Sequence, residues 1–283
     1  MKVYYKFYDL HPLRTANRLD NKASRRGVHL KIDLRRDQSF ADFFSHPSLG
    51  DIELEEFLEK FKYQEDEMSQ KTFHLLQSDA RLRFDSLAKL TPFKNHTLWH
   101  PQSRTDALVY KYKLQSIDDF GFIKLLENKK TVRLDANGVF QKDEYISFFK
   151  NIDPAFYEHI EYIEDPYIGD WNIDSPIKLA SDFIVSPDHS VKIYKPNREF
   201  LPKSLKPNIF SSYMGSQLGQ WHTYCELIHS GDLSLFHGVQ IDKFYEDDIF
   251  YQTSPETYAP DKAKVKKFYD ELMSSGWKVL CSI

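Results

Sequence analysis

Ionisable residues recur at the ends of short apolar segments in the middle of the chain. Each segment is apolar until its last residues and then carries one ammonium or carboxylate group: Lys113, Asp135, Glu164, Asp182 and Lys195. In a (β/α) barrel the carboxyl ends of the strands form one face, so these five groups would share a cavity. Three carboxylates in a low-dielectric pocket repel one another unless a cation neutralises them. Oxygen ligands without Cys or His suit a hard cation, so the pattern predicts a Mg²⁺ site, with Mn²⁺ as a substitute.

The alternation of side chains along two of these strands indicates a type of chemistry. Arg133, Asp135 and Asn137 share one face of their strand, as do Lys111 and Lys113 of theirs. Removal of a proton next to a carboxylate creates an enediolate, which a chelating metal stabilises as a Lewis acid. A lysine acts as the base when burial or nearby positive charge lowers its pKa. Lys111 would supply such charge to Lys113.

Strands and helices alternate through this part of the chain, which favours a parallel sheet, open or closed into a barrel. Strands are predicted at 107–114, 131–135, 160–165, 177–182, 190–195 and 208–212. Helices are predicted after Ser116, around 141–151, over 213–229 and near 261–275. The helix over 213–229 has the clearest apolar spacing, from Met214 to Ile228.

The first ninety or so residues are typical of a β–β–α–α unit. Residues 27–34 alternate strictly between apolar and polar side chains, which predicts a half-buried strand. Prolines and turn formers in residues 91–105 predict a domain boundary there. We therefore expect a first domain over 1–92, a barrel over 93–245 and a packing segment over 246–283.

Composition restricts the classes of function. The chain has 283 residues, of which 41% are hydrophobic. Its formal net charge of −4 does not indicate binding to nucleic acid or to an anionic membrane. No apolar run is long enough for a membrane span, and the first residues lack the apolar core of a signal peptide. The two cysteines lie far apart in the sequence, so we expect a protein of the reducing cytoplasm. We further expect a monomer or small homo-oligomer that acts on a small-molecule carboxylate.

Five motifs together resemble the enolase superfamily in its muconate-lactonizing-enzyme-like branch. They are LVYKYKL, VRLDANGVF with YIEDP, IYKP, and FSSYMGSQLG, which is similar to a serine-rich segment of o-succinylbenzoate synthases. Glu164 follows Asp135 by 29 residues, which matches the family spacing. The resemblance covers roughly residues 105–220. It implies an α/β fold, a modified and truncated (β/α) barrel of the TIM type with an N-terminal α+β capping domain.

The resemblance also implies roles for individual residues. Lys113 would be the base and then the acid, and Lys195 would stabilise the enediolate from the opposite side. The metal ligands would be Asp135, Glu164 and Asp182. Lys111, Arg133 and Asn137 would support the metal and the substrate carboxylate, whereas Ser211, Ser212 and the amides opening the 213–229 helix would receive a substrate carboxylate. The implied reaction is the syn dehydration of 2-succinyl-6-hydroxy-2,4-cyclohexadiene-1-carboxylate to o-succinylbenzoate, a step of menaquinone biosynthesis.

The sequence departs from the family pattern around the third ligand. Phe183 follows Asp182 where the family has a second acid, and glycines expected after the IYKP lysine are replaced by NREF. Only 13 residues separate Asp182 from Lys195, too few for a normal crossover, so we expect a tight turn at 186–190 in place of a helix. Residues 38–50, with Arg25 and Arg26, are predicted to close over the substrate as a lid.

Other interpretations of these residues remain open. The carboxylates at strand ends are also typical of helix caps, and paired lysines are common on solvated edge strands. An N-acylamino-acid racemase, dipeptide epimerase or cycloisomerase of the same superfamily would use the same two lysines. A barrel that binds a small acid without turnover is the alternative from another class.

Overall fold

The structure is a computed structural model that contains two large sheets and one small sheet. It describes residues 1–11, 25–47, 50–101, 103–167, 169, 171, 174–182, 191–201, 208–239, 248–274 and 276–282. The strands are β1 (Lys2–Leu10), β2 (Arg25–Asp33), β3 (Gln38–Phe44), β4 (Phe93–Asn95), β5 (Thr97–Leu98), β6 (Val109–Lys113), β7 (Thr131–Asp135), β8 (Ile160–Glu164), β9 (Leu179–Ser181), β10 (Val191–Tyr194), β11 (Asn208–Phe210), β12 (Phe236–His237), β13 (Phe250–Gln252), β14 (Thr257–Pro260) and β15 (Lys278–Ser282). The helices are α1 (Leu54–Tyr63), α2 (Glu67–Ala88), α3 (Ile123–Glu127), α4 (Lys142–Lys150), α5 (Gln217–Ser230) and α6 (Lys262–Leu272), with a 3₁₀ helix at Pro154–His159.

The first large sheet is antiparallel and has the order β15–β1–β2–β3. One face of β2 buries Val28, Leu30 and Ile32 in an apolar cluster with side chains of α1 and α2. This is the alternation that the sequence predicts, because successive strand residues point to opposite faces. The other face of β2 is also buried, and its His29 forms a hydrogen bond to Ser216 of the barrel. The sheet therefore lies between its own helices and the barrel.

The second large sheet is parallel and has the order β11–β10–β9–β8–β7–β6–β5. Helices α3 and α4 connect consecutive strands, as parallel pairing requires. The sheet's two ends meet through β12, which pairs in parallel with β4 and is joined to β11 by a bridge between Ser211 and Gly238. With β4 and β5 sharing one position, the strands form a ring of eight, the number typical of a TIM barrel.

This architecture matches the (β/α) barrel with an N-terminal α+β capping domain that the sequence predicts. The domain boundary at residues 92 and 93 stays a prediction, and so does the assignment of residues 246–283. Within the described residues, the last strand β15 pairs with β1 of the cap, whereas α6 buries Val265 and Tyr269 in a cluster with Trp221 of α5. No helix in the described ranges is long and apolar enough to cross a membrane.

Two local predictions concern a lid and a tight turn. Residues 38–44, predicted as part of a lid, form strand β3, and Arg25 lies in β2. Phe40, Ala41 and Phe43 are buried there, so this part of the segment belongs to the cap sheet, and closure over the substrate stays a prediction. The turn predicted at 186–190 in place of a crossover helix lies outside the described residues.

Candidate active site

The carboxyl ends of the barrel strands surround one cavity. All of the predicted site residues except Arg133 line it: Lys111, Lys113, Asp135, Asn137, Glu164, Asp182, Lys195, Ser211 and Ser212. The parallel register accounts for this convergence, because Lys113 lies opposite Asp135 and Asp135 lies opposite Glu164 at the ends of β6, β7 and β8. The structure thus brings together the residues that the sequence selects, while their chemical roles stay predictions.

Two lysines of β6 contact the first two carboxylates. The Lys111 Nζ lies 3.0 Å from an oxygen of Asp135 and 2.7 Å from an oxygen of Glu164. The Lys113 Nζ lies 3.5 Å from Asp135. Although burial opposes the charged form, Asp135 and Glu164 raise the pKa of Lys111 well above its usual range. Burial lowers the pKa of Lys113, and Lys111 adds to this effect while Asp135 opposes it. Lys113 is therefore the member of the pair that loses its proton more readily.

A third lysine faces this pair from the other side of the cavity. Lys195 follows β10, four strand positions from β6, which is the opposite side of a ring of eight. Its ammonium group forms an ion pair with Asp182 and lies 4.9 Å from the centre of the Tyr213 ring. Asp182 raises the pKa of Lys195 despite burial. Lys195 is accordingly a fixed positive charge across the cavity from Lys113.

The carboxylates between these lysines fit a hard cation. Oxygen atoms of Glu164, Asp165 and Asp182 all lie within 4.8 Å of one another. One oxygen of Asp182, Oδ1, is buried and has no hydrogen-bond partner in the described part of the chain, as expected of an atom placed for a ligand. Asp135 does not belong to this group of three, and its carboxylate instead contacts Lys111 and Lys113. Carboxylate oxygens are the ligands that Mg²⁺ prefers in proteins.

Asp165 is a carboxylate that the sequence did not single out. It accepts a hydrogen bond from the Ser181 hydroxyl at 2.9 Å, and it is not among the described residues that line the cavity. Burial raises its pKa well above the usual range, and the nearby charges of Asp182 and Glu164 contribute in the same direction. Asp165 thus lies close to Glu164 and Asp182 without being one of the described residues of the cavity wall.

Arg133 differs from its predicted role as a support for the metal and the substrate carboxylate. It lies two residues before Asp135 on β7, about 7 Å deeper in the barrel at the usual rise of a strand. Its guanidinium donates to both carboxylate oxygens of Glu161 at 2.8 and 2.9 Å, to the Phe236 carbonyl at 2.9 Å and to His96 at 3.1 Å. These contacts hold the guanidinium beneath the cavity rather than on its wall.

The main-chain amides at the N-terminus of α5, which were predicted to receive a substrate carboxylate, have a different partner. The helix begins at Gln217, and the side chain of Ser216 caps it. The buried carboxylate of Asp42, from the cap, forms hydrogen bonds with both the side chain and the main chain of Ser216. A carboxylate of the protein itself therefore occupies this helix N-terminus, the position that favours an anion. Ser211 and Ser212 still line the cavity, and the Ser212 hydroxyl is buried without a partner among the described residues.

Several residues of the cavity wall were missed by sequence reasoning. They are His46, His96, Leu98, Tyr213, Met214 and Gly238. His96 lies between strands of three and two residues, which are too short to show a period in the sequence. His46 comes from the cap, within residues 38–50 that were predicted to close over the substrate, although the sequence did not single out this residue. Only the long-range fold brings these residues to the site.

Comparisons with known proteins agree with this geometry. Residues 3–82 match the family described as O-succinylbenzoate synthase, N-terminal domain. The chain is 26% identical to an o-succinylbenzoate synthase of Bdellovibrio bacteriovorus, over 88% of this chain and 89% of that protein. An o-succinylbenzoate synthase of Thermosynechococcus elongatus, solved with Mg in its active site, is 16% identical, with a TM-score of 0.66 over 96% of this chain and all of that one. A muconate lactonizing enzyme of Pseudomonas fluorescens, solved with muconolactone, is 11% identical, with a TM-score of 0.71 over 94% of this chain and 98% of that one.

The fold is shared with the solved o-succinylbenzoate synthase and muconate lactonizing enzyme, and the chain resembles the enolase superfamily in its muconate-lactonizing-enzyme-like branch. Within that superfamily the chain is o-succinylbenzoate-synthase-like, since the N-terminal family match and the relative from Bdellovibrio bacteriovorus both point there. The resemblance seen in the sequence motifs and the predicted fold class are thereby confirmed. The same findings support the prediction that the protein is an enzyme.

Proposed function

We propose that the protein is an o-succinylbenzoate synthase, a lyase that dehydrates 2-succinyl-6-hydroxy-2,4-cyclohexadiene-1-carboxylate. The observation that carries this proposal is the placement of Lys113 and Lys195 on opposite sides of one cavity, with Asp135, Glu164 and Asp182 among its lining. A carboxylate substrate held between them would present its neighbouring carbon to Lys113. We also propose that the reaction belongs to menaquinone biosynthesis and takes place in the cytoplasm.

In this proposal Lys113 acts twice. As the neutral amine, it takes the proton from the ring carbon that bears the carboxylate, and the electron pair of that C–H bond moves toward the carboxylate. As the ammonium, it then returns this proton to the departing hydroxyl, so that one water leaves and the ring becomes aromatic. Both events occur on the face of the ring that Lys113 contacts, which makes the elimination syn. General acid–base catalysis of this kind contributes typically about 10²–10⁴-fold in rate.

The remaining charged groups hold the substrate and its developing charge. Lys195, kept protonated by Asp182, stabilises negative charge that accumulates on the substrate carboxylate. Asp135, Glu164 and Asp182 would hold Mg²⁺ or Mn²⁺, which supplies Lewis-acid stabilisation of that charge when bound. Lys111 keeps Asp135 and Glu164 together through its two ion pairs. Asn137 and the two serines complete the wall against which the substrate lies.

A second candidate function uses the same two lysines. Racemisation or epimerisation of an acylated amino acid needs one lysine on each side of the α-carbon, and Lys113 and Lys195 satisfy that requirement. Cycloisomerisation is favoured by the likeness to the muconate lactonizing enzyme. A barrel that only binds a small acid is not supported, because binding alone does not require two lysines and a cluster of carboxylates in the same cavity. The dehydration is preferred because the N-terminal match and the relative both carry that name.

The decisive experiment is turnover of the cyclohexadiene carboxylate by the purified protein. It is measured with Mg²⁺, with a chelator, and for the variants Lys113→Ala and Lys124→Ala. Lys124 is an exposed lysine of α3 and serves as the matched control. We expect metal-dependent formation of o-succinylbenzoate that Lys113→Ala abolishes and Lys124→Ala leaves unchanged.

Failure to form product in the presence of bound metal would reject the synthase. In that case N-acylamino acids and dipeptides are tested for exchange of the α-proton with solvent deuterium, and exchange lost in Lys113→Ala would establish the racemase or epimerase instead. Equal activity of Lys113→Ala and wild type on every substrate would reject the mechanism as well.

A further inference from the structure

His96 occupies the seam at which the barrel closes. It lies between β4, which pairs with β12, and β5, which pairs with β6. Its main-chain N–H donates to the His237 carbonyl at 2.8 Å. The residue is buried, at 7% exposure, and its side chain lines the cavity. Neighbouring strands therefore fix the position of this ring from both sides.

The contact with Arg133 fixes the tautomer of the ring. The Arg133 Nη1 lies 3.1 Å from Nδ1 of His96. A guanidinium has five N–H donors and no acceptor, so Nδ1 must accept this hydrogen bond with its lone pair. The ring proton then resides on Nε2. Within the described residues Nε2 has no hydrogen-bond partner, and it faces the cavity as an unused donor.

The surroundings keep this imidazole neutral. Burial lowers the pKa of His96 well below its usual value, and the positive charge of Arg133 acts in the same direction. The other charged or titratable groups that face it are Lys111 and Lys113 from β6 and His237 from β12. The ring is therefore neutral near neutral pH, with its Nε2–H available as a hydrogen-bond donor.

Ser211 provides a second donor at the same place. A Cβ atom added to Gly238 would lie 2.9 Å from Nε2 of His96 and 3.0 Å from the Ser211 hydroxyl. The glycine thus leaves room for both groups to lie close together on one wall. This wall, formed by the seam strands β4, β5, β11 and β12, is opposite β8 in the ring of eight. The carboxylates Glu164 and Asp182 are at the ends of β8 and beyond β9, on the far side.

We propose that His96 binds the part of the substrate that does not react, with its Nε2–H donating to a carbonyl or carboxylate oxygen. The inference rests on the proposed function, in which the ring carboxylate faces Asp135, Glu164 and Asp182. A substrate held there extends its other substituent toward the seam. For the cyclohexadiene carboxylate that substituent is the succinyl chain. His96 and Ser211 thereby select carboxylates with a second, oxygen-bearing acyl group.

The test compares two ligands and two variants. Binding of o-succinylbenzoate and of benzoate, which lacks the succinyl chain, is measured by calorimetry in the presence of Mg²⁺. The variants are His96→Leu, which removes the donor, and His96→Gln, whose amide can accept from Arg133 and donate to the cavity. His159→Gln, on the surface 3₁₀ helix, is the control. We expect His96→Leu to weaken o-succinylbenzoate about tenfold, which corresponds to roughly 1.4 kcal/mol, and to leave benzoate unchanged.

His96→Gln should recover most of the lost affinity, and the loss in His96→Leu should appear in KM more than in kcat. Equal weakening of both ligands, or of neither, would overturn the inference. If His96→Leu does not fold, nitrogen NMR of ¹⁵N-histidine-labelled wild type still reads the tautomer. A proton on Nδ1 rather than Nε2, or an Nε2 signal that o-succinylbenzoate leaves unmoved, would also overturn it. The proposed function fails separately, if the wild type neither forms nor binds o-succinylbenzoate.

Discussion

The carboxylate of Asp51 accepts a hydrogen bond from the hydroxyl of Tyr213, with 2.8 Å between the two oxygens. Asp51 belongs to the cap, whereas Tyr213 lines the barrel cavity and lies beneath the ammonium group of Lys195. The same carboxylate oxygen accepts from Arg198 at 2.9 Å and from the main-chain N–H of His46 at 2.7 Å. One acid therefore fixes both a cap residue and a barrel residue of the cavity wall.

Replacement of Asp51 by Asn is expected to raise KM about tenfold and to change kcat less. The amide weakens three hydrogen bonds, one of them to a guanidinium, and so loosens His46 and Tyr213 without touching Lys113. Hydrogen bonds to charged groups are worth roughly 1.5–3 kcal/mol. Steady-state kinetics check this, with Glu53→Gln, an exposed acid just before α1, as the control. An unchanged KM in Asp51→Asn would mean that the cap does not position the substrate.

Asp135 and Asp165 are the two candidates to complete a metal site with Glu164 and Asp182, and measurements of metal affinity distinguish them. Asp135 lines the cavity, whereas Asp165 is not among the described lining residues and accepts a hydrogen bond from Ser181. We expect Asp135→Asn to lower the affinity for Mn²⁺ at least about tenfold, the size of effect seen when supports of a metal are lost, and Asp165→Asn to lower it less. Calorimetric titration of the two variants checks this. A larger loss for Asp165→Asn would assign the cation to the group of Glu164, Asp165 and Asp182.

Gly238→Ala is expected to abolish binding of o-succinylbenzoate while metal affinity is kept. The added methyl group would lie 2.8 Å from Cε1 of His96, and that ring cannot turn away because Arg133 holds it. The carboxylates that would hold the cation are on the opposite wall. Titrations with Mn²⁺ and with o-succinylbenzoate check the two effects separately. Simultaneous loss of both would indicate a general collapse of the barrel instead.

A buried pair at the interface of cap and barrel should give opposing pH dependences of stability. Burial raises the pKa of Asp42 to about 6 and lowers that of His29 to about 3. Between about pH 4 and 6 the folded protein binds more protons at Asp42 than the unfolded chain, so Asp42 makes the free energy of unfolding fall as pH rises. From about pH 3 to 6.5 the unfolded chain binds more protons at His29, so His29 makes that free energy rise.

Single substitutions at Asp42 and His29 should reveal the contribution of each residue to the pH dependence of the free energy of unfolding. In Asp42→Asn the free energy of unfolding is expected to rise more steeply between pH 4 and 6 than in wild type, and in His29→Gln it should fall with pH. Each pKa unit corresponds to roughly 1.4 kcal/mol, so the Asp42 effect amounts to about 3 kcal/mol. Urea unfolding at several pH values measures both. Parallel pH profiles for wild type and both variants would contradict the assignment.

The sequence allowed the strands of the barrel and their charged ends to be predicted, because each carries its signal locally. Strand β7 occurs at the predicted residues, and Lys113 and Glu164 end their strands as expected. The helix predicted from residue 213 begins at Gln217, since Met214 has a positive φ of 57° and Ser216 caps the helix. The contacts of Arg133 and Asp42 could not be predicted, because their partners are distant in sequence. The strands of the closing seam could not be predicted either, because they are too short to give a sequence pattern and pair only in the assembled ring.

The pairing of β15 with β1 has a consequence for synthesis on the ribosome. Val3 lies opposite Cys281 in this antiparallel pair, so β1 is synthesised before the barrel whereas its partner β15 is synthesised after it. Until then the nascent cap exposes an open strand edge, and such edges pair readily with other chains. Contacts between residues so distant in sequence also form slowly. Nascent chains of this protein are therefore most prone to aggregate in the interval before β15 is released.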